Sequence, residues 1–161
     1  MKTTKVLLYC TKGKPYLYRD LYSKWRTTNQ KTAIAKNGYI LAECEVEVEK
    51  IVSFRKGIFC MPTLNAEELL DKSCLTNEQL SEYLKDGCGY ALHIKKLKTF
   101  DSKPLIDYGV NKAPQNMMRV YKDGQTYILI SVRPEWLCKI LNHKKTIEVR
   151  KKVLKEMLYN E

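Results

Sequence analysis

Near the C-terminal end, Lys145, Glu148 and Arg150 are spaced so that they could act together. On an extended segment Glu148 and Arg150 share one face, because side chains alternate, and a turn before it can swing Lys145 alongside. The product is a carboxylate at a buried edge, flanked by two cations. Such a trio can read a base edge, with Glu148 accepting from an exocyclic amine while the cations hold phosphate or carbonyl oxygens. It can equally be an ion-pair network with a purely structural role. A second set lies between Thr11 and Lys36. There seven basic residues (Lys12, Lys14, Arg19, Lys24, Arg26, Lys31, Lys36) stand against one acid, Asp20, with Tyr16, Tyr18, Tyr22 and Trp25 interleaved. Lys12 and Lys14 would contact phosphates and Tyr16 would stack on an unpaired base. The alternative is that Tyr16, Tyr18 and Trp25 seal the core while the lysines solvate a loop. Residues 11–36 and 133–152, which include Arg133, are expected to form one basic face away from the acidic stretch 57–89.

Other chemistries find little support. The six cysteines (Cys10, Cys44, Cys60, Cys74, Cys88, Cys138) show no C-x-x-C and no paired Cys/His spacing, so no metal site is expected. They read as reduced thiols, several of them packing as small hydrophobes. Of the two histidines, His93 falls in a strand pattern and His143 in a turn. No G-x-S-x-G, phosphate-binding loop or dinucleotide fingerprint occurs, and no cofactor is expected. Glu43, Glu45, Glu47 and Glu49 alternate with apolar residues; a metal-binding ladder is conceivable, but such spacing usually only solvates a strand's outer face.

The chain carries a formal net charge of +11 over 161 residues. That excess favours nucleic acid, an anionic surface or an acidic protein partner. The apolar stretch ending at Cys10 is too short for a signal-peptide core and no later run could span a bilayer, so a cytoplasmic protein with no membrane association is expected.

The elements that must position these groups follow from periodicity. Lys5–Cys10 reads as a buried strand, and Asn37-Gly38 as a hairpin turn. Ile40, Ala42, Cys44, Val46 and Val48 define one strand face, with the glutamates on the other. Asn65 caps a short helix, Thr76 with Gln79 makes a capping box for a second, and Gly87 ends it. Tyr90–Ile94 is a strand, followed by a basic connection from Lys95 to Asp107. Met117–Tyr121 and Tyr127–Val132 are strands around an Asp123-Gly124 turn. Pro134 opens a helix that Asn142 closes. Ile147 and Val149 mark a short strand, and Val153, Leu154, Met157 and Leu158 a terminal amphipathic helix. Short strands with few helices between them indicate one α+β domain over residues 1–161, a mixed or antiparallel barrel with flanking helices.

The stretch from Ile128 to Trp136 and that from Lys139 to Arg150 together resemble the ASCH family of the PUA-like superfamily of small β-barrels. The family's signature is a strand, a proline-started helix and G-x-K-x-x-E-x-R; Lys145, Glu148 and Arg150 take the K, E and R places, and His143 replaces the glycine. Tyr9–Leu17, Gly89–Ile94 and Lys112–Gln115 are similar to blocks of ASCH-like proteins of phages and low-GC bacteria. The resemblance implies a ligand-binding cleft centred on the signature and an RNA-binding module. In the usual order the strand–helix–signature unit comes first; here it comes last, as in a circular permutant. Strand 127–132 should then lie in one barrel with strand 5–10, Asp123-Gly124 should join the family's usual ends, and Arg150 should end near the N-terminal strand. The rival is a swapped dimer, in place of a monomer. Some ASCH proteins are amidohydrolases of N4-acetylcytidine, using a lysine that Lys145 matches, a threonine nucleophile and a distant glutamate. Here Glu148 stands where the threonine falls, and a carboxylate lacks the O–H that an activated nucleophile needs. If there is catalysis, Lys145 and Glu148 are its candidates. A third reading is a phage-type interference factor that docks on an acidic protein.

Overall fold

The computed structural model describes residues 2–11, 39–54 and 58–158. In chain order its elements are β1 (Thr3–Cys10), β2 (Ile40–Ser53), β3 (Phe59–Cys60), α1 (Ala66–Ser73), α2 (Asn77–Leu84), β4 (Cys88–Lys103), β5 (Met117–Lys122), β6 (Gln125–Val132), α3 (Pro134–Leu141) and β7 (Ile147–Arg150). Short 3-10 turns occupy Leu105–Tyr108 and Lys155–Met157. The architecture is mixed α+β. Seven strands are hydrogen-bonded in the order β5-β6-β1-β2-β4-β7, with β3 on β2. Among the described residues β5 and β7 do not pair with each other, so the sheet is open where a closed barrel is expected from the sequence. Both end strands carry charged side chains (Arg119 and Lys122 on β5, Glu148 and Arg150 on β7), which discourage further strand pairing at an open edge. No helix among the described residues is long and apolar enough to cross a membrane. The Asn37-Gly38 turn, and Lys12, Lys14 and Tyr16 with the rest of the basic-aromatic segment and hence half of the expected basic face, lie outside the described residues.

The chain divides into two compact units, one of residues 1–3, 46–95 and 144–161, the other of residues 4–45 and 96–143. In the second unit β1 runs parallel to β6, Val6 opposite Ile128 and Cys10 opposite Val132. β5 and β6 form an antiparallel hairpin closed by Asp123-Gly124 between the paired residues Lys122 and Gln125. Both turn residues have positive φ, 51° and 79°, the two-residue geometry that matches strand twist. A side chain at Gly124 would meet nothing within 4 Å. Gly124→Ala should therefore lower stability through the backbone alone, by about 1 kcal/mol; an unchanged urea midpoint would show that the turn tolerates another geometry. Leu7, Tyr9, Ile40, Tyr108, Val110, Val120 and Leu129 form one hydrophobic cluster of this unit.

In the first unit α1 and α2 cover one sheet face, burying Leu69, Leu80 and Leu84 with Ile51, Phe59, Ala91, Ile147 and Val149. Asn65 caps α1 and the Thr76–Gln79 box caps α2, as their spacing predicts. α2 ends at Lys85, in the left-handed conformation, two residues before Gly87. Three further expectations need correction. β4 continues to Lys103, through what reads as a basic connection, because Lys95 and Lys96 find carboxylates, Glu47 at 2.8 Å and Glu45 at 3.1 Å. The terminal helix is only a 3-10 turn; four apolar residues in one turn do not nucleate an α-helix. β7 pairs with β4, so Arg150 ends opposite Tyr90 and not beside β1.

All six cysteines are free; Cys10, Cys44 and Cys138 are buried, while Cys60 and Cys88 are exposed. Burial, with Glu43 and Glu45 adding to it, pushes the Cys44 thiol up to about 12. An alkylating reagent applied to the native protein should therefore label Cys60 and Cys88 and spare Cys10, Cys44 and Cys138 until denaturant is added. Labelling of Cys44 at the rate of Cys60 would contradict this packing.

Candidate functional site

The signature trio is assembled at the end of a helix. The last four carbonyls of an α-helix have no partner within it. In α1 those of Leu70 and Asp71 accept from Leu75 and Cys74, closing the turn locally. The other two are taken by the signature. Thr146 N–H donates to the Lys72 carbonyl at 2.9 Å, and Lys145 Nζ donates to the Ser73 carbonyl at 2.6 Å. Cys74 returns the contact, its thiol donating to the Lys144 carbonyl at 3.3 Å. Lys145 thus places a positive charge on the negative end of the helix dipole.

The Lys145 side chain is 2% exposed. Burial lowers its pKa from the ordinary lysine value, and the Glu148 carboxylate 3.4 Å away partly opposes that. The same carboxylate accepts from Arg150 Nε at 3.0 Å and Nη2 at 2.7 Å, both on Oε2. Alternation along β7 puts Glu148 and Arg150 on one face, opposite Leu92 and Tyr90 of β4, while Ile147 and Val149 enter the core beneath the helices. The carboxylate between two cations is therefore present as its spacing implies. Lys145 does not line an open cleft, however: its ammonium is sealed against α1. Arg133 is exposed at the N-cap position of α3, in the other unit. His143, at the signature's glycine place, has φ 62°, the left-handed conformation that glycine adopts most easily, so the turn's backbone stays close to a glycine turn.

No protein-family model, curated protein or solved structure matches this chain.

A second constellation is not foreseen from the sequence. Glu49, grouped there with outward glutamates, has a side chain only 1% exposed. It accepts from Thr63 N and Thr63 Oγ1, both at 2.6 Å, and lies 2.8 Å from His93 Nε2. Burial alone would raise its pKa, but the Thr63 and His93 hydrogen bonds outweigh burial and hold the carboxyl below its ordinary value. An ionised carboxylate only accepts, so the proton between the two lies on Nε2, and in neutral His93 the lone pair is on Nδ1. A change of buried face along β2 places Glu49 inside. Ile40, Ala42, Cys44 and Val46 are buried in one register, Glu49, Ile51 and Ser53 in the other. Lys50 at an even position followed by Ile51 at an odd one is the sequence signal for that change. Among the described residues no three His, Cys, Asp or Glu side chains group as metal ligands would. Glu45, Glu47 and Glu49 are instead paired one by one with Lys96, Lys95 and His93 of β4.

Proposed function

We propose that this chain is an RNA-binding module of the ASCH, PUA-like kind, engaging the phosphate backbone through the cationic segment around its signature. The observation that carries the reading is a charge imbalance. Between Lys144 and Lys155 the one carboxylate is Glu148, and it is shared by Lys145 and Arg150 within the fold. Lys144, Lys151, Lys152 and Lys155 are exposed in that same segment. In this reading Lys145 positions the segment from beneath and the exposed lysines touch phosphate. Support for the ASCH-like arrangement comes from where the similar blocks lie. Thr11 N–H donates to the Val132 carbonyl, Ser131 Oγ to the Pro114 carbonyl, and Gly89–Ile94 belongs to the strand paired with β7. The permuted order is supported by the pairing of β6 with β1 within one chain and by the tight turn at Asp123-Gly124.

Titrating labelled single-stranded RNA with purified protein tests this. Each of Lys151→Ala and Lys155→Ala should weaken binding of all sequences alike and lower the salt slope by about one. Retention of an acidic protein insensitive to nuclease would point to the interference reading. Turnover of N4-acetylcytidine, lost in Lys145→Ala, would point to the hydrolase.

A further inference from the structure

The first unit has two dissimilar faces. On one, α1 and α2 present Glu67, Glu68, Asp71, Glu78 and Glu82 to solvent, with Lys72 already beside Glu68 at 3.8 Å. These carboxylates disfavour a polyanion along the helices, except at the end of α2, where Lys151 lies over the Tyr83 ring. The other face carries neither α1 nor α2; Leu92, beside Tyr90 on that face, is buried, and the strand registers determine what else it displays. Val52 stands opposite Cys60, and Tyr90 opposite Arg150; Ile51, Phe59, Ala91 and Val149, one residue along in each strand, point into the helix-covered core. Alternation continues through Phe54, whose N–H donates to the Ile58 carbonyl and so extends the β2–β3 pairing. Phe54 is 42% exposed and Val52 36% exposed, and Lys50 on the same face of β2 is exposed as well. Exposed aromatic and aliphatic groups on strands are unfavourable in water unless something covers them.

We propose that this strand face is a stacking platform for single-stranded RNA, with Phe54 and Tyr90 taking successive bases and Lys50 meeting the backbone. Charge complementarity selects the occupant. Glu67, Glu68, Asp71, Glu78 and Glu82 are exposed on the helices, and on the platform the carboxylate of Glu148 is held by Arg150 and Lys145. What remains is exposed Phe54 and half-buried Tyr90 near exposed Lys50, a pairing that single-stranded nucleic acid satisfies with bases and phosphate together. The proposal rests on the RNA-binding reading and adds to it the place where bases are held.

The test is fluorescence anisotropy with a labelled oligouridylate of roughly ten nucleotides, within the span that one such surface covers. Phe54→Ala and Tyr90→Leu should each weaken binding roughly tenfold with little change in salt slope, because stacking is not counterion release. Phe54→Trp should restore wild-type affinity, which a merely structural role for Phe54 does not predict. Far-UV circular dichroism checks that each variant is folded. If wild type binds and both variants bind equally well, the platform is wrong while the RNA reading stands. If wild type does not bind, both fall. If light scattering finds a dimer that Phe54→Ala dissociates, a second copy covers this face and the proposal is overturned.

Discussion

Lys145→Met is expected to lower the unfolding free energy by about 3 kcal/mol, the low end for breaking a buried ion pair from one side. Three losses combine. The Ser73 carbonyl at the end of α1 loses its donor, and a buried carbonyl without a partner is destabilising by about 1–3 kcal/mol. Glu148 keeps Arg150 but loses its second cation. The helix end loses a favourable charge. Part of this is offset, because a thioether no longer has to be stripped of water as an ammonium is. Lys145→Met/Glu148→Gln should be less destabilised than the sum of the single changes, since the carboxylate left under-compensated by the first is removed by the second. Urea denaturation followed by tryptophan fluorescence reads the effect as a shift of midpoint at constant slope. A midpoint within error of wild type would show that the ammonium is not docked on α1.

Glu49→Ala should also be destabilising, by about 2 kcal/mol, because it removes the shared acceptor of two Thr63 donors and of the part-buried His93 N–H, although exposed Thr63 can turn to water. Glu49→Gln should lose less, keeping one acceptor oxygen while turning an amide donor towards groups that also donate. The acid limb carries a further signature. The native Glu49 carboxyl sits below its ordinary value, so in acid the unfolded chain binds its proton first. Its stabilisation is complete above the ordinary carboxylate value and is lost as pH falls through the lower native value. Glu49→Gln should therefore be less stable than wild type at neutral pH and approach it in acid. A constant gap between the two across that range would mean the carboxylate is not ionised in the folded protein.

The local elements were legible because each has a local cause. The Thr76–Gln79 box, the Pro134 helix start, the Asp123-Gly124 turn and the alternation from Ile40 to Val46 all appear where the sequence places them. What was not legible depends on groups distant along the chain. Nothing near Lys145 announces that its amine caps a helix ending at Ser73, 72 residues earlier. Glu49 reads as solvated until Thr63 and His93 close around it, and only the switch from Val48 to Ile51 hints that the strand turns its other face inward. The run after Ile94 looks like a basic loop because its first two lysines are balanced by Glu47 and Glu45, some fifty residues back, not by neighbours. The carboxylate between two cations at a buried edge is legible in the spacing; the burial of the Lys145 ammonium against α1 is not, since spacing carries no information about what packs on top.

In the proposed binding mode, exposed cations around the largely buried Lys145–Glu148 pair hold RNA by its phosphates. The dependence of wild-type affinity for single-stranded RNA on salt concentration tests it most directly. With about four phosphates engaged, log Kobs should fall against log salt with a slope of about −3, a loss on the order of fiftyfold between 50 and 200 mM salt. A slope near zero, or no binding at the lowest salt, would show that phosphate contacts do not hold RNA on this protein.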